Sequence, residues 1–114
     1  MTNKTDGTCD IPAHAWVIDE ISAERQRQIS EEGWSPEHDD QHDTGELGRA
    51  AACYALASAG SRSPVWRIIE QLWPWAFEWW KPTDPRRDLV KAGALIVAEI
   101  ERLDRLAARE TDNG

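Results

Sequence analysis

Acidic side chains and two histidines crowd one short segment, EHDDQHDTGE, at residues 37–46. Carboxylates are the usual protein ligands of Mg²⁺ and Mn²⁺, and imidazoles bind transition metals. His38 and His42 are four residues apart, which would bring both rings to one face of a helix. Pro36 and the neighbouring acids favour a loop instead. Two interpretations remain open: a second metal site, or, as we favour, a structural segment that caps the following helix.

Four other acids occur where the sequence is helical. Glu20 and Glu24 are four residues apart on the first predicted helix and point the same way. Glu46 opens the apolar segment ELGRAAACYALASAG, and Asp88 opens DLVKAGALIVA. Charged side chains are rarely buried without a partner. Carboxylates that project inward from three helices therefore predict an oxygen-ligand site for Mg²⁺, with Mn²⁺ as the alternative ion.

Each of these acids also has an ordinary structural explanation. Glu20 and Glu24 could lie on a solvated face, where Arg25 and Arg27 would screen their repulsion. Asp88 could simply favour the positive N-terminal end of its helix. Only the ligand interpretation makes an activity depend on a metal, so the two interpretations are experimentally distinct.

Tryptophan dominates the aromatic residues of the chain: there are seven, against one phenylalanine and one tyrosine, and five fall between Trp66 and Trp80. They could serve as large core fillers. The segment WPWAFEWWKP, however, places aromatic rings directly before a basic cluster. A nucleotide needs this combination, because its base stacks on rings and its phosphates pair with cations. The candidate nucleotide-binding residues are Trp80, Lys81, Arg87 and Lys91.

Apolar residues recur at helical spacing, and no strand pattern of period two is present. The predicted helices cover about residues 16–32, 44–59, 64–72 and 85–108. Two of them carry aliphatic stripes, Val17, Ile18, Ile21 and Ile29 on the first and Leu89, Ile96, Ile100 and Leu103 on the last. The sequence therefore predicts an all-α fold, a small bundle of three long helices and one short helix.

Helix ends and chain ends carry their own signals. Asp43 or Thr44, Ser63 and Asp84 are the predicted N-terminal caps. Residues 34–42 read as a structured loop, and PWAFEWWKPTDP as an irregular, aromatic-rich connection. The polar ends predict a flexible leader at 1–15 and a flexible tail at 109–114 around a single helical domain at 16–108.

Charge and composition limit the partners. A net charge of −8 argues against a nucleic-acid polymer, which would need a basic face. No segment approaches the ~18 apolar residues of a membrane span, and no signal-peptide layout is present, so we expect no membrane partner and a cytoplasmic location. Cys9 and Cys53 do not suggest a disulfide. A small core and an alanine-rich second helix predict a homodimer or larger homo-oligomer, with the second and last helices near the interface.

Several stretches, ERQRQISEEGWSPEHDDQHDTGELGRAAACYA, then WPW, WWKP and RRDLVKAGALIVAEIERLDR, resemble small proteins encoded by phages and prophages. The resemblance covers about residues 16–106. Some of those proteins are grouped with the MazG-like, all-α nucleoside triphosphate pyrophosphohydrolases, which include phage dATP/dGTP diphosphohydrolases. The resemblance implies a helical bundle, usually oligomeric, in which a glutamate pair, a further glutamate and an aspartate hold Mg²⁺ against a triphosphate.

Carried over residue by residue, the resemblance implies the metal ligands Glu20, Glu24, Glu46 and Asp88. The family pattern spaces its paired acids three apart, as ExxE and then ExxD, whereas Glu20 and Glu24 are four apart. The segment EHDD matches ExxD through Glu37 and Asp40, which is a competing assignment.

Two functional hypotheses follow. In the first, the chain is a Mg²⁺-dependent pyrophosphohydrolase with Glu24, Glu46 and Asp88 as catalytic residues, and the metal activates water for attack on a nucleoside triphosphate. In the second, it is a non-catalytic sponge, acting in the host cytoplasm if phage-encoded, that sequesters a nucleotide-derived immune signal as an anti-defence protein. Dependence on a divalent cation separates the two. A helical interaction module without a small ligand is a third option, whose sign would be an exposed apolar stripe; the sequence suggests none beyond the tryptophan segment.

Overall fold

The computed structural model describes residues 11–60 and 63–113, and those residues form an all-α fold without strands. The helices are α1 (Ala13–Glu32), α2 (Pro36–Asp39), α3 (Glu46–Ala57), α4 (Ser63–Leu72) and α5 (Pro85–Asn113), with one 3₁₀ turn at Phe77–Trp79. The predicted fold class is confirmed. Most of the predicted leader, including Cys9, lies outside the described residues. α5 continues to Asn113, beyond its predicted end near residue 108 and through most of the predicted tail.

Local chemistry explains most helix ends. α1 ends at Gly33, whose φ of 77° is left-handed and whose N–H donates to the carbonyl of Gln28. α5 follows Asp84, which accepts a hydrogen bond from the Arg87 N–H at 3.0 Å, as the predicted cap requires. α3 begins later than predicted, because Gly45 at a φ of 87° forms its N-terminal boundary in place of Thr44. The Thr44 N–H instead donates to Glu46 at 2.8 Å.

The segment predicted as a loop contains one helical turn, α2. Ser35 accepts from the His38 N–H at 3.2 Å, and Pro36 occupies the first helical position, where its missing N–H costs nothing. The aromatic-rich connection from Trp73 to Asp84 is irregular apart from its 3₁₀ turn, as predicted.

The core forms around α3, which packs against α4 and α5. Its buried side chains are Leu47, Ala50, Ala51, Cys53, Tyr54, Ile69, Trp73, Ala92, Leu95 and Ala98. The small alanines let the backbones of α3 and α5 approach closely. α1 packs mainly against α5: a Cβ at Gly93 would lie 2.9 Å from the Ile21 side chain, so glycine permits this approach. No helix within residues 11–60 and 63–113 is long and apolar enough to cross a membrane.

Candidate functional site

A cleft of about 360 Å³ opens between the end of α1, α2 and the aromatic-rich connection. We call it the aromatic cleft; its lining residues are Glu32, Trp34, His38, His42, Trp75, Ala76 and Trp79. The ring centroids of Trp34 and Trp75 are 5.9 Å apart, and those of His42 and Trp75 are 5.3 Å apart. The result is a concave surface made mainly of flat rings, which is the usual composition of small-molecule sites.

The irregular connection is held in place by the core. Trp73 is buried, packs edge-on against Tyr54 and Trp75, and donates from its ring N–H to the Ala76 carbonyl at 3.1 Å. The Tyr54 hydroxyl accepts from the Lys81 N–H at 3.2 Å. These contacts fix the backbone on both sides of the 3₁₀ turn, so the rings of the cleft are presented by a rigid segment.

A smaller cavity of about 40 Å³ adjoins the aromatic cleft and shares Glu32, Trp34 and Trp79 with it. We call it the charged pocket; its other lining residues are Glu24, Arg27, Gln28, Tyr54, Lys81 and Lys91. Lys91 donates to the Lys81 carbonyl at 2.7 Å. Burial lowers the pKa of Lys91, and the nearby carboxylates of Asp88 and Glu24 oppose that shift. Cationic side chains therefore line a pocket that adjoins the aromatic rings.

Glu24, a predicted metal ligand, is a buried carboxylate held by cations. Its two oxygens accept hydrogen bonds from Arg27 at 2.8 and 2.9 Å, and Gln28 donates a third at 3.3 Å. Arg87 also contacts the carboxylate. Burial pushes the pKa of Glu24 upward, but the hydrogen bonds and charge of Arg27 and the charge of Arg87 outweigh burial and hold the pKa below its ordinary value. This carboxylate stays ionised inside the protein.

Glu20, the second member of the predicted pair, faces a different partner. Both of its oxygens accept from Arg86 at 2.7 Å in a bidentate ion pair on the surface. The hydrogen bonds from Arg86 lower the pKa of Glu20. Glu20 and Glu24, the two acids predicted to share one cation, each pair with different arginines.

The remaining two predicted ligands stabilise helix starts. Glu46 is partly buried, which raises its pKa, but its own N–H and the N–H and hydroxyl of Thr44 more than offset this and bring the pKa to about 2. Asp88 is buried, accepts from the Thr83 N–H at 2.8 Å, and lines a separate cavity of about 280 Å³ that also contains Trp66 and Ile69. Each carboxylate accepts a hydrogen bond from the backbone that precedes its helix and so holds that segment in place.

The predicted Mg²⁺ ligand set can be tested against these contacts. Within residues 11–60 and 63–113, no three acidic, histidine or cysteine side chains are arranged so that they could hold a metal ion. The oxygens of Glu20 and Glu24 are bound to guanidinium groups, and Glu46 and Asp88 accept from backbone N–H groups. As placed, the four carboxylates form ion pairs and caps, and the Mg²⁺ site stays a prediction.

The acids of the EHDD segment attach α2 to the long helices. Asp39 is fully buried and accepts from Arg25 at 2.8 Å, and Arg25 also donates to the Trp34 carbonyl and to Glu101, each at 3.1 Å. Burial raises the pKa of Asp39, which the Arg25 charge opposes. Asp40 pairs with Arg105 of α5 at 2.9 Å. These ion pairs position Trp34 and the two histidines at the cleft.

The histidines lie side by side, with ring centroids 4.8 Å apart. His38 Nδ1 is 3.7 Å from Asp39, and His42 Nδ1 is 3.7 Å from Glu46. Among the described residues, His38 Nδ1, His42 Nε2 and one Asp39 oxygen are buried without a hydrogen-bond partner. His38 and His42 line the cleft, so their buried ring nitrogens lie beside its aromatic wall.

The predicted nucleotide-binding residues divide into two groups. Lys81 and Lys91 line the charged pocket. Trp80 packs against Tyr54 and Trp73, with ring centroids 4.7 and 4.8 Å away, and Arg87 contacts Glu24. The tryptophan beside Lys81 is Trp79, whose ring centroid is 5.5 Å from the lysine nitrogen.

Sequence reasoning linked the segment that contains Trp75 and Trp79 to nucleotide binding but chose Trp80 as the contact. It did not select the cleft residue Trp34 or the pocket residue Arg27. One signal was available for Trp34: it follows the glycine that ends α1, a position from which an apolar side chain commonly packs back against the end of the helix. No family model matches this chain, and no curated protein or solved structure is significantly similar to it. The MazG-like resemblance therefore stays a prediction.

Proposed function

We propose that this chain binds a nucleotide, or a small molecule derived from one, across the aromatic cleft and the charged pocket. The observation that carries the proposal is the shared wall: Glu32, Trp34 and Trp79 border both cavities, so one ligand can reach rings and cations together. The volume of about 360 Å³ lies at the lower end of the range for small-molecule sites, which suits a base with its ribose.

The aromatic cleft supplies the surface for the base. Stacking of a base on an aromatic side chain is worth about 1–3 kcal/mol and tolerates any base, because every base has a π-face. Trp34 and Trp75 offer such faces at a centroid separation of 5.9 Å. Glu32, at the border of the two cavities, is a suitable acceptor for ribose hydroxyls.

The charged pocket supplies the partners for phosphate. Arg27, Lys81 and Lys91 line it against the two acids Glu24 and Glu32, and Arg87 adds a further positive charge on Glu24. Cations thus outnumber acids at this place in a chain whose net charge is −8. Phosphate oxygens form strong, charge-assisted hydrogen bonds with such groups.

We infer that binding requires no divalent cation, because Glu20 and Glu24 already pair with arginines, and Glu46 and Asp88 already accept from backbone N–H groups. Non-catalytic sequestration of a nucleotide-derived signal is the function that agrees best with this arrangement. The acids then act as ion-pair partners that fix Arg27 and Arg87 around the pocket, and the ligand leaves chemically unchanged.

Mg²⁺-dependent pyrophosphohydrolysis is the second candidate, and one observation favours it. Glu24 lines the same pocket as Lys81 and Lys91, so a carboxylate is present where phosphates are expected. The ion pairs of Glu24 with Arg27 and Arg87 would have to open before it could serve as a ligand. When bound, Mg²⁺ would supply charge neutralisation of the triphosphate and activation of water.

Calorimetric titration separates the candidates. Nucleoside mono- and triphosphates and cyclic dinucleotides are titrated into the wild-type chain with Mg²⁺ and again with EDTA, and the ligand is then recovered and chromatographed. The proposal predicts the same affinity in both buffers and an intact ligand. Cleavage that occurs only with Mg²⁺ would establish the hydrolase instead, and failure of every phosphorylated ligand to bind would refute both candidates.

A further inference from the structure

The exposed apolar side chains of α1 are not explained by the fold of one chain. The fully buried side chains of α1 are Glu24, Arg25 and Gln28, all of them polar. Val17 and Ile18, by contrast, are exposed over roughly half of their surface. A helix of a globular protein normally buries an apolar stripe and exposes its charges. In α1 the usual arrangement is reversed.

α5 shows the same reversal along its length. The core uses its small side chains, such as Ala92, Ala94 and Ala98, together with Leu95. The larger aliphatic stripe predicted from the sequence is about half exposed and consists of Leu89, Ile96, Ile100 and Leu103. The sequence suggested no exposed apolar stripe outside the tryptophan segment, and this prediction is wrong for α1 and α5.

A groove of about 490 Å³ lies between α1 and α5, and one exposed member of each stripe lines it, Ile18 of α1 and Ile96 of α5. Its lining residues are Ile18, Ile21, Ser22, Arg25, Gln26, Ile29, Gly93, Ile96, Val97 and Glu101. The charged members, Arg25 and Glu101, are paired with each other at 3.1 Å. In a chain with 30% charged residues, this groove has no unpaired charge among its lining residues.

We propose that a second copy of this chain packs on the α1–α5 groove through a two-fold axis. The exposed aliphatic side chains of the two helices present on the order of 600 Å² of apolar surface, close to the ~800 Å² per partner of a standard protein interface once bordering polar side chains are included. α1 and α5 run in the same direction, since Arg86 pairs with Glu20 and Glu101 with Arg25. Two such pairs related by a two-fold axis form a four-helix bundle, which covers both stripes.

A second copy suits this surface better than a charged partner. An isologous interface needs a patch that is complementary to itself, and a neutral aliphatic groove meets this condition although both chains are acidic overall. This location differs from the interface predicted from the sequence, which involved the second long helix, α3. The exposed positions of α3 include Gly48, Ala52 and Ala55, which offer little apolar area. The proposal concerns a different surface from the cleft and does not depend on nucleotide binding.

Light scattering coupled to size exclusion tests the proposal on the full chain. The wild type is expected at twice the chain mass of 12.9 kDa at micromolar concentration. Ile96→Glu should place a charge in the interface and raise the dissociation constant at least about 100-fold, because a buried aliphatic contact is replaced by an unpaired carboxylate. Ile68→Glu, at a half-exposed position on α4 outside the groove, is the matched control and should leave the dimer intact.

Far-UV circular dichroism distinguishes loss of the dimer from loss of the fold. Because Ile96 is half exposed, a monomeric Ile96→Glu chain should retain its helix content, and Ile96→Ala gives a milder second variant if it does not. A wild-type monomer at 100 μM would overturn the proposal. So would a dimer that dissociates with Ala52→Glu but withstands substitution of both Ile96 and Ile100 by Glu. So would a wild-type monomer that binds lipid vesicles through this face.

Discussion

The aromatic cleft and the α1–α5 groove are both concave, yet they are built from opposite materials. Tryptophan and histidine rings line the cleft, and ion pairs such as Arg25–Asp39 hold its walls from behind. The groove is mainly aliphatic, and its two charged lining residues, Arg25 and Glu101, pair with each other. Its sides are two regular helices. Fixed polar groups next to rings can recognise a small, charged molecule, whereas a neutral aliphatic surface can recognise only shape. The two regions therefore suit different partners, a nucleotide and a second chain.

Arg25→Ala should have the largest effect, because it damages the support of the cleft. The change leaves Asp39, which is fully buried, without its cation. Breaking one side of a buried pair costs about 3–5 kcal/mol. Urea unfolding should show that loss, with Asp40→Asn as the control, whose partly exposed pair with Arg105 should cost under ~1 kcal/mol. Equal stability of the two variants would show that the Arg25 cluster does not hold α2.

Trp75→Ala should weaken nucleotide binding by about 10–100-fold through loss of one stacking surface. Its mass in solution should remain that of the wild type, since the ring lies in the cleft and not in the groove. Ile96→Glu should give the converse result, a monomer that binds nucleotide with wild-type affinity. If either variant loses both properties, the cleft and the groove are not independent regions.

Lys91→Ala should weaken binding by about tenfold, because one cation of the charged pocket is lost. A ligand without phosphate, a nucleoside, should bind the variant and the wild type equally. Titration of both ligands into both proteins gives this comparison. An equal loss for the nucleoside would mean that Lys91 stabilises the pocket rather than contacting phosphate.

Asp88→Asn should have little effect on binding or stability, since an amide oxygen can still accept from the Thr83 N–H. The hydrolase hypothesis requires the opposite, because an amide is a poor Mg²⁺ ligand and turnover should disappear. Pyrophosphate release from a nucleoside triphosphate, assayed with Mg²⁺, distinguishes these outcomes. Turnover in the wild type that Asp88→Asn abolishes would favour the hydrolase.

The loss of stability in acid should depend in part on Glu46. Its pKa falls from an ordinary 4.5 to about 2 in the folded chain. The unfolded chain therefore binds the proton more tightly, so this stabilisation is complete above about pH 4.5 and is lost as the pH falls towards 2. Glu46→Gln should lose less stability than the wild type between pH 4.5 and pH 2. If urea titrations show that the wild type and Glu46→Gln lose the same stability between pH 4.5 and pH 2, this assignment is wrong.

The helices were predictable from the sequence, and the cleft was not. Periodic apolar residues and the cap at Asp84 are local signals. They located α1, α3 and α4 to within a few residues and the start of α5, which continues to Asn113, beyond its predicted end near residue 108. Partner choice is not local: Glu24 contacts Arg87, 63 residues away along the chain. Trp34 and Trp75 likewise meet only through the tertiary fold. The stripe on α5 could be read from its spacing, but whether a core or a second chain covers it depends on packing.

The central claim is that nucleotide binds across the cleft and the charged pocket without a metal. Its most direct test is a tryptophan-fluorescence titration in EDTA that compares the wild type with the Trp75→Ala/Lys91→Ala double variant. We predict saturable quenching in the wild type and at least about 100-fold weaker binding in the double variant. Binding that vanishes in EDTA, or equal affinity of the two proteins, would contradict the claim.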